Sequence, residues 1–353
     1  MPIAGLDHTT AVAWGGLIIG LLFGAIGQRT GFCLTRALIQ AWHQGDGRRL
    51  RAFALAMAVA LGGSQILHGL GVVDLSSSLY LQGSFSWLLV PVGGLLFGFG
   101  MILANGCGAR ALVLLGGGNL RSLLVLLCLG ISAYAALTGV LAPWRIDALE
   151  ATSWTPAGQP PHLPALLAEY GIGLRLAEWG VPLVLVVALT FYAVGSPAFR
   201  ASPRDWLGGI AIGALVPAGW WVTGVVGADD FDPVDLVSLT FVAPVGDGIQ
   251  YLMLATGTDL AFGVTVVAGV IVGAAASALL TGGWQLQGFD GPRPMLRAIG
   301  GGTLMGIGGA LALGCSIGQG LSGFSTLALP ALLALGGILL GGWAAMALRL
   351  ART

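Results

Sequence analysis

Long apolar segments recur along the whole of this chain and constrain its fold more than any other feature. They lie at residues 11–27, 52–72, 87–104, 121–142, 180–195, 206–226, 260–281, 298–313 and 326–348. Each is long enough, or nearly so, to cross a bilayer as a helix of roughly 20 residues. Only 8% of the residues are charged, against about a quarter in soluble domains. The sequence therefore predicts an all-α polytopic membrane protein with about nine transmembrane helices in one domain, residues 1–353.

Shorter apolar pieces lie between some of these spans, at residues 32–41, 107–116, 236–256 and 316–323. Most are too short to cross a membrane alone, and each stands beside glycine or proline. Irregular backbone survives at membrane depth only when it is buried in protein or lines a cavity. We therefore predict short half-helices beside a central site. The 60 glycines of the chain fit this interpretation and also fit close helix packing.

Arginines are distributed unevenly between the loops if nine spans alternate across the membrane. One side receives Arg48, Arg49, Arg51, Arg121, Arg200, Arg204, Arg293, Arg297, Arg349 and Arg352. The other side receives Arg145 and Arg175 among Asp147, Glu150, Glu169, Glu178, Asp229, Asp230 and Asp232. The positive-inside rule then places the C-terminus in the cytoplasm and the N-terminus outside. Residues 143–178 become an outer segment, predicted to be an interfacial loop or short helix.

One sequence motif occurs three times. The copies are LFGAIGQRTGFCLTRAL from Leu22, LFGFGMILANGCGARAL from Leu96 and LMGIGGALALGCSIGQGL from Leu304. In each, a glycine precedes a cysteine by nine residues, and another glycine (Gly31, Gly106 or Gly314) lies one or two positions before that cysteine. The cysteines are Cys33, Cys107 and Cys315. Recurrence of both spacing and context favours a functional role over simple packing, whereas Cys128, in an ordinary apolar segment, is interpreted as a packing residue.

A helix that breaks before such a cysteine exposes backbone amides and directs the positive end of the next helix dipole at the break. This arrangement binds anions. The thiol adds a soft, weak hydrogen-bond donor. An anion with both oxyanion oxygens and a terminal sulfur, such as thiosulfate, fits both parts of the predicted site.

Several polar side chains stand next to these cysteines. Arg36 and Arg110 are expected to attract an anion, because a charge at membrane depth is costly without a function; snorkelling to the interface is the alternative, more so for Arg36. Thr35, Asn105, Ser316 and Gln319 are candidate hydrogen-bond partners of the oxyanion, although each is as well suited to bonding a neighbouring helix. The three thiols have no fourth ligand or nearby histidine, so we predict neither metal nor cofactor.

The motifs GFCLTRAL, NGCGARAL and LGCSIGQGLSG resemble those of the YeeE/YedE family of membrane proteins for sulfur uptake. The resemblance covers Trp14 to about Leu348. It implies a bacterial inner-membrane thiosulfate transporter with two pseudo-symmetric inverted halves and a narrow centre, in which the ion passes Cys33, Cys107 and Cys315. It also implies a cytoplasmic sulfur-carrier partner of the TusA type. Some relatives are associated with selenium or other sulfur species.

The predicted halves are residues 1–142 and 179–353, separated by the outer segment. A fainter fourth motif, LGGIAIGALVPAGWW from Leu207, has Pro217 in the position of the cysteine. With it, two motifs in each half are approached from opposite sides, which is the pattern of an inverted repeat. Two functional hypotheses remain: a transporter without covalent chemistry, and a membrane thiol enzyme that moves sulfur as a persulfide or disulfide. The lack of a CxxC pair counts against the enzyme.

Overall fold

The computed structural model describes residues 7–81, 84–154, 161–169, 171, 173–229, 234–289 and 291–348. Within these ranges the chain forms α1 His8–Thr30, α2 Leu34–Gln44, α3 Arg48–Gly69, α4 Leu89–Leu103, α5 Gly108–Gly116, α6 Leu120–Leu137, α7 Ala142–Ala151, α8 Leu163–Glu169, α9 Leu174–Val194, α10 Pro197–Arg200, α11 Pro203–Trp221, α12 Ala243–Leu254, α13 Phe262–Leu280, α14 Pro292–Leu311 and α15 Leu329–Ala347. Two π-helical segments, Val222–Val226 and Gly318–Gly323, interrupt this pattern. A two-stranded antiparallel pair joins β1 Phe85–Ser86 to β2 Ser153–Trp154.

The predicted all-α, polytopic membrane fold is confirmed. A long helix stands at each of the nine predicted apolar segments, and eight helical stretches of the described chain are long and apolar enough to cross a membrane. The exception is α14, in which two arginines and several glycines lower the mean hydropathy. Arg349, Arg352, Asp230 and Asp232, which contributed to the predicted charge asymmetry, lie outside the described residues.

The predicted short pieces are also present as interruptions between long helices. The helices α2, α5 and α12 have 11, 9 and 12 residues, and the second π segment has six. At about 1.5 Å per residue, none of the three short helices is long enough to cross a bilayer of roughly 30 Å alone. Each follows a chain break, so the described backbone has the broken helices that a buried site requires.

Four pairs of long helices pack closely, α1 with α13, α3 with α11, α4 with α15 and α6 with α14, and α4 also packs against α14. In every pair, glycines spaced four residues apart bring the two backbones into close approach. We call these contacts glycine seams; they involve Gly20 and Gly24 with Gly269 and Gly273, Gly94 and Gly98 with Gly337 and Gly341, Gly209 and Gly213 with α3, and Gly302 and Gly306 with α6. Small residues at such spacing are typical of helix association in membranes.

One glycine seam offers a matched test within a single helix. A Cβ atom at Gly341 would collide with the carbonyl oxygen of Leu95, whereas a Cβ at Gly336, five residues earlier in α15, meets open space. We expect Gly341→Ala to destabilise the protein by about 1–3 kcal/mol through overpacking. Gly336→Ala is expected to be neutral or to stabilise it by up to about 1 kcal/mol through helix propensity. Thermal unfolding of the detergent-purified variants measures both, and equal melting temperatures would contradict the packing argument.

The fourth motif differs from the other three. The helix α11 continues through Pro217 to Trp221 and then into the first π segment, so Pro217 does not follow a chain break. Its ring packs against Gly63 of α3, where the missing side chain leaves room for it. The position that corresponds to a motif cysteine is therefore occupied by a packing residue inside a helix.

The outer segment is ordered against the rest of the fold where the structure describes it. It contains α7 and α8, in agreement with the predicted short helix. Its residues 161–163 pair with 327–329 through bonds from Leu163 N to Leu327 O (3.0 Å) and from Leu329 N to Pro161 O (2.8 Å). We call residues 161–163 the strap. The strap pairs with the chain between the second π segment and α15, and it holds the start of α15 in place.

Candidate functional site

Cys33 lies at the start of a short helix, as its motif predicts. The helix α1 ends at Thr30, and Gly31 takes a left-handed conformation with φ 68°, which a side chain would disfavour. Cys33 then adopts an extended conformation and caps α2, with its carbonyl accepting from Ala37 N at 3.0 Å. Its side chain is buried. The thiol therefore stands at the positive end of the α2 dipole.

Cys107 repeats this arrangement in the second motif. The helix α4 ends at Leu103, and Asn105 takes the left-handed conformation with φ 58°. The Gly106 amide donates to Met101 O at 2.8 Å, which closes the helix end. Cys107 caps α5 in an extended conformation and is buried. Asn105 is exposed and forms the turn, so the structure gives it a backbone role at the end of α4.

The two capping cysteines meet. The thiols of Cys33 and Cys107 are close enough to interact directly, and both cysteines are free. The N-termini of α2 and α5 therefore converge on one point from two different motifs. Two positive helix ends at one buried point form a strong local preference for negative charge.

Arg110 adds a full positive charge at this point. Its side chain is only 7% exposed, and it faces both Cys33 and Cys107. Its Nε and Nη1 atoms are buried without a hydrogen-bond partner, and no carboxylate of the described chain lies within ion-pair distance of it. A buried guanidinium that lacks partners is costly, so its retention points to an anion as its partner.

The third motif approaches this pair through Ser316, the residue that follows Cys315. The Ser316 hydroxyl is fully buried and stands next to the Cys107 thiol without forming a bond of normal geometry. Cys315 itself is fully buried and accepts from Gly318 N at 3.2 Å. Its break, with Leu313 at φ 57° and Gly314 at φ 157°, leads into the second π segment rather than into an α-helix.

Unpaired polar atoms concentrate at the predicted site. Seven buried side-chain nitrogen and oxygen atoms of the described chain have no hydrogen-bond partner, and five of them belong to Thr35, Arg110, Ser316 and Gln319. The Gln319 amide nitrogen donates to Ala312 O, but its Oε1 is unpaired. Buried polar groups are nearly always satisfied in native proteins. These exceptions at sequence-predicted residues make the cluster the candidate site for a polar ligand.

The remaining predicted residues lie at the border of this cluster. Arg36 is exposed on α2 and lies near Arg110 and Arg49. Gly31 receives a long hydrogen bond, 3.4 Å, from Arg49 Nη1. Cys128, predicted to be a packing residue, lies on α6 against Gly302 of α14. No group of three or more histidines, cysteines or acidic residues in the described ranges could hold a metal ion.

Sequence reasoning missed three neighbours of the motif cysteines. Thr240 and Tyr80 lie beside Cys315, and Arg49 lies beside Cys33. Thr240 lies in the predicted short piece 236–256, but nothing in the sequence singles out this residue, and Tyr80 comes from a segment far from any motif copy. The sequence indicates Arg49 only as one of the loop arginines.

The helical fold, with eight described stretches long and apolar enough to cross a membrane, defines a multi-pass membrane protein. The chain belongs to the sulphur transport family, whose model matches residues 29–344. It is 28% identical to the thiosulfate transporter TsuA of Spirochaeta thermophila over 343 residues, which cover 94% of this chain and 97% of that protein. It is 26% identical to TsuA of Escherichia coli over 351 residues, which cover 94% and 92%. The probable transporter YedE of Escherichia coli matches over 93 residues at 32% identity, covering 26% of this chain and 21% of that protein.

These comparisons confirm the predicted family and the transporter class, and they support a sulfur-containing anion as the transported species. The prediction that the chain is not an enzyme agrees with the names of its relatives.

Proposed function

We propose that this protein takes up thiosulfate across the bacterial inner membrane along a pathway that passes Cys33, Cys107 and Cys315. The observation that carries the proposal is the cluster of unpaired buried polar atoms around two convergent helix N-termini and two neighbouring thiols. Two relatives that match almost the whole chain are named thiosulfate transporters, which agrees with this chemistry. Transport of another sulfur or selenium anion is the alternative.

The two parts of the site suit the two ends of thiosulfate. The oxyanion end accepts hydrogen bonds from the Arg110 guanidinium and from the free amides that begin α2 and α5. The terminal sulfur is a soft acceptor for the thiols of Cys33 and Cys107. Sulfate offers only the first kind of group, so it should bind less well at the thiols.

Passage requires contacts strong enough to admit the ion and weak enough to release it. Thiol hydrogen bonds meet this condition because sulfur is a weak donor and acceptor. The series of buried groups from the Cys33–Cys107 pair through Ser316 to Cys315 would then provide successive stops for the ion. No covalent bond to sulfur is needed at any of them.

The orientation and symmetry belong to the same proposal. The arginine-rich loops would face the cytoplasm, with the C-terminus, and the strap with residues 143–178 would face outside. The packing of α1 with α13 and of α3 with α11, in which a motif-bearing helix of each half meets a helix of the other half, supports two inverted halves, residues 1–142 and 179–353. A cytoplasmic sulfur carrier of the TusA type would receive the ion at the arginine-rich side.

Uptake of radiolabelled thiosulfate, sulfate and selenite tests the proposal in cells whose own transporters for these ions are deleted. We expect cells carrying this protein to accumulate thiosulfate well above the vector control. Sulfate uptake is expected to stay near that control, because sulfate has no terminal sulfur for the thiols. Preferential uptake of selenite would favour the alternative substrate, and accumulation of none of the three ions would contradict the proposal.

A further inference from the structure

A polar cavity lies on the arginine-rich side of the molecule, and its lining includes Thr30, three residues before Cys33. Its volume is about 250 Å³, which is ample for a small oxyanion. The ends of α1, α2, α3 and α11 surround it, and we call it the inner basin. Its charged and polar lining includes Asp46, Arg48, Arg49, Ser202, Arg204 and Asp205.

The two carboxylates of the inner basin are already engaged. Asp46 accepts from Arg48 Nε at 3.0 Å and from Arg48 Nη2 at 2.9 Å, and this contact holds the pKa of Asp46 below its usual value. Asp205 accepts from the Ser202 hydroxyl at 2.7 Å. Arg48 is the main partner of Asp46, and both carboxylates act more weakly on Arg49, without a direct ion pair to it.

Arg49 and Arg204 keep donors available for a ligand. Arg49 makes one long bond to Gly31 O, and Arg204 donates from Nη2 to Arg29 O. Neither has a carboxylate within ion-pair distance among the residues that the structure describes. Each guanidinium has five N–H donors, so most of them remain unused.

A series of like charges lies between the buried thiols and the inner basin. Arg110 faces the thiol pair and lies near Arg36 and Arg49, and Arg49 in turn lies near Cys33, Arg36 and Arg204. Four guanidiniums thus lead from the buried site to the open cavity. Like charges held this close repel one another, and an anion among them would relieve that repulsion.

We propose that the inner basin is a second anion-binding site, held mainly by Arg49 and Arg204, which receives a doubly charged oxyanion as it leaves the cysteines. The inference rests on the proposed function, because the basin faces the cytoplasm only in that orientation. Its ligand is the transported ion rather than a lipid phosphate, since Arg49, which lines the basin, also lies near Cys33. The arginine series then draws the ion from the thiols toward the exit.

Flux measurements in oriented phosphatidylcholine liposomes test this site, with sulfate added to the cytoplasmic side as the probe. We expect sulfate to inhibit thiosulfate flux through the wild-type protein. Arg49→Gln and Arg204→Gln should each raise the half-inhibiting sulfate concentration by about tenfold, the effect of losing one charge-assisted interaction. Arg200→Gln is the matched control, because Arg200 is an exposed arginine of the same region that does not line the basin. Equal inhibition of all four proteins would overturn the proposal, as would a wild type that is insensitive to sulfate.

Two further experiments test the basin without transport and distinguish an anion site from a site for lipid headgroups. Calorimetric titration of the detergent-purified variants with sulfate should give the same ranking without any flux, so the basin is tested even if thiosulfate is not the transported ion. Repeating the flux assay with phosphatidylglycerol in the liposomes should leave sulfate inhibition unchanged. Loss of inhibition in those liposomes would assign the basin to lipid headgroups and overturn the proposal.

Discussion

Replacing Cys107 with alanine is expected to abolish thiosulfate uptake while leaving the protein folded in the membrane. The Cys107 thiol neighbours Cys33 and Ser316, and the residue stands at the start of α5, which carries Arg110, so it links all three motif copies. Its loss removes one stop on the proposed pathway. Uptake of labelled thiosulfate should fall to the level of cells without the transporter, and growth on thiosulfate as the sulfur source should stop.

Cys128→Ala supplies the matched control for this experiment. Cys128 is a free cysteine on α6 that packs against Gly302, outside the buried cluster. We expect this variant to transport at the wild-type rate. Membrane-inserted protein is quantified for both variants, so that a loss of uptake is not confused with a loss of protein. Normal uptake by Cys107→Ala at normal protein levels would refute the thiol pathway.

Replacing Arg110 with glutamine is expected to weaken the apparent affinity for thiosulfate by about 10- to 100-fold, which corresponds to the loss of roughly 1.5–3 kcal/mol of charge-assisted hydrogen bonding. Arg110→Lys should recover little of this loss, because an ammonium group cannot reproduce the planar fork of a guanidinium. Concentration dependence of uptake measures the effect, with Arg293→Gln, an exposed arginine of α14, as the control.

A stability measurement distinguishes a binding role for Arg110 from a structural one. The buried Nε and Nη1 atoms lack partners, so removal of the charge should leave the melting temperature of the ligand-free protein unchanged or raise it. Added thiosulfate should stabilise the wild type more than Arg110→Gln. A marked loss of stability with an unchanged affinity would show that Arg110 serves the fold rather than the ion.

Hydropathy and the repeated motif were sufficient to predict the helices and most of the buried cluster. Apolar length alone gives the long helices, because the bilayer fixes how many residues a span needs. The glycine before each motif cysteine predicts a chain break, and the structure places Cys33 and Cys107 immediately after such breaks. These features are local, so one sequence reveals them.

The parts that could not be predicted depend on contacts between distant segments. Thr240 and Tyr80 reach Cys315 only because the chain folds back on itself. The helix α11 continues unbroken past Pro217, and the room for the proline ring comes from Gly63, which lies on another helix. The role of Asn105 as a turn residue, and not a buried hydrogen-bond donor, depends on how α4 ends.

The glycine seams have a consequence for the way in which this protein works. Each seam places a backbone against a carbonyl oxygen of its neighbour, and all four join helices that are far apart in the chain. Rocking one half of the molecule against the other would shear several seams together. Under the proposed mechanism, therefore, only the ion and the few side chains that it meets move, so cooling should slow the flux only about as much as it slows diffusion through a narrow pore.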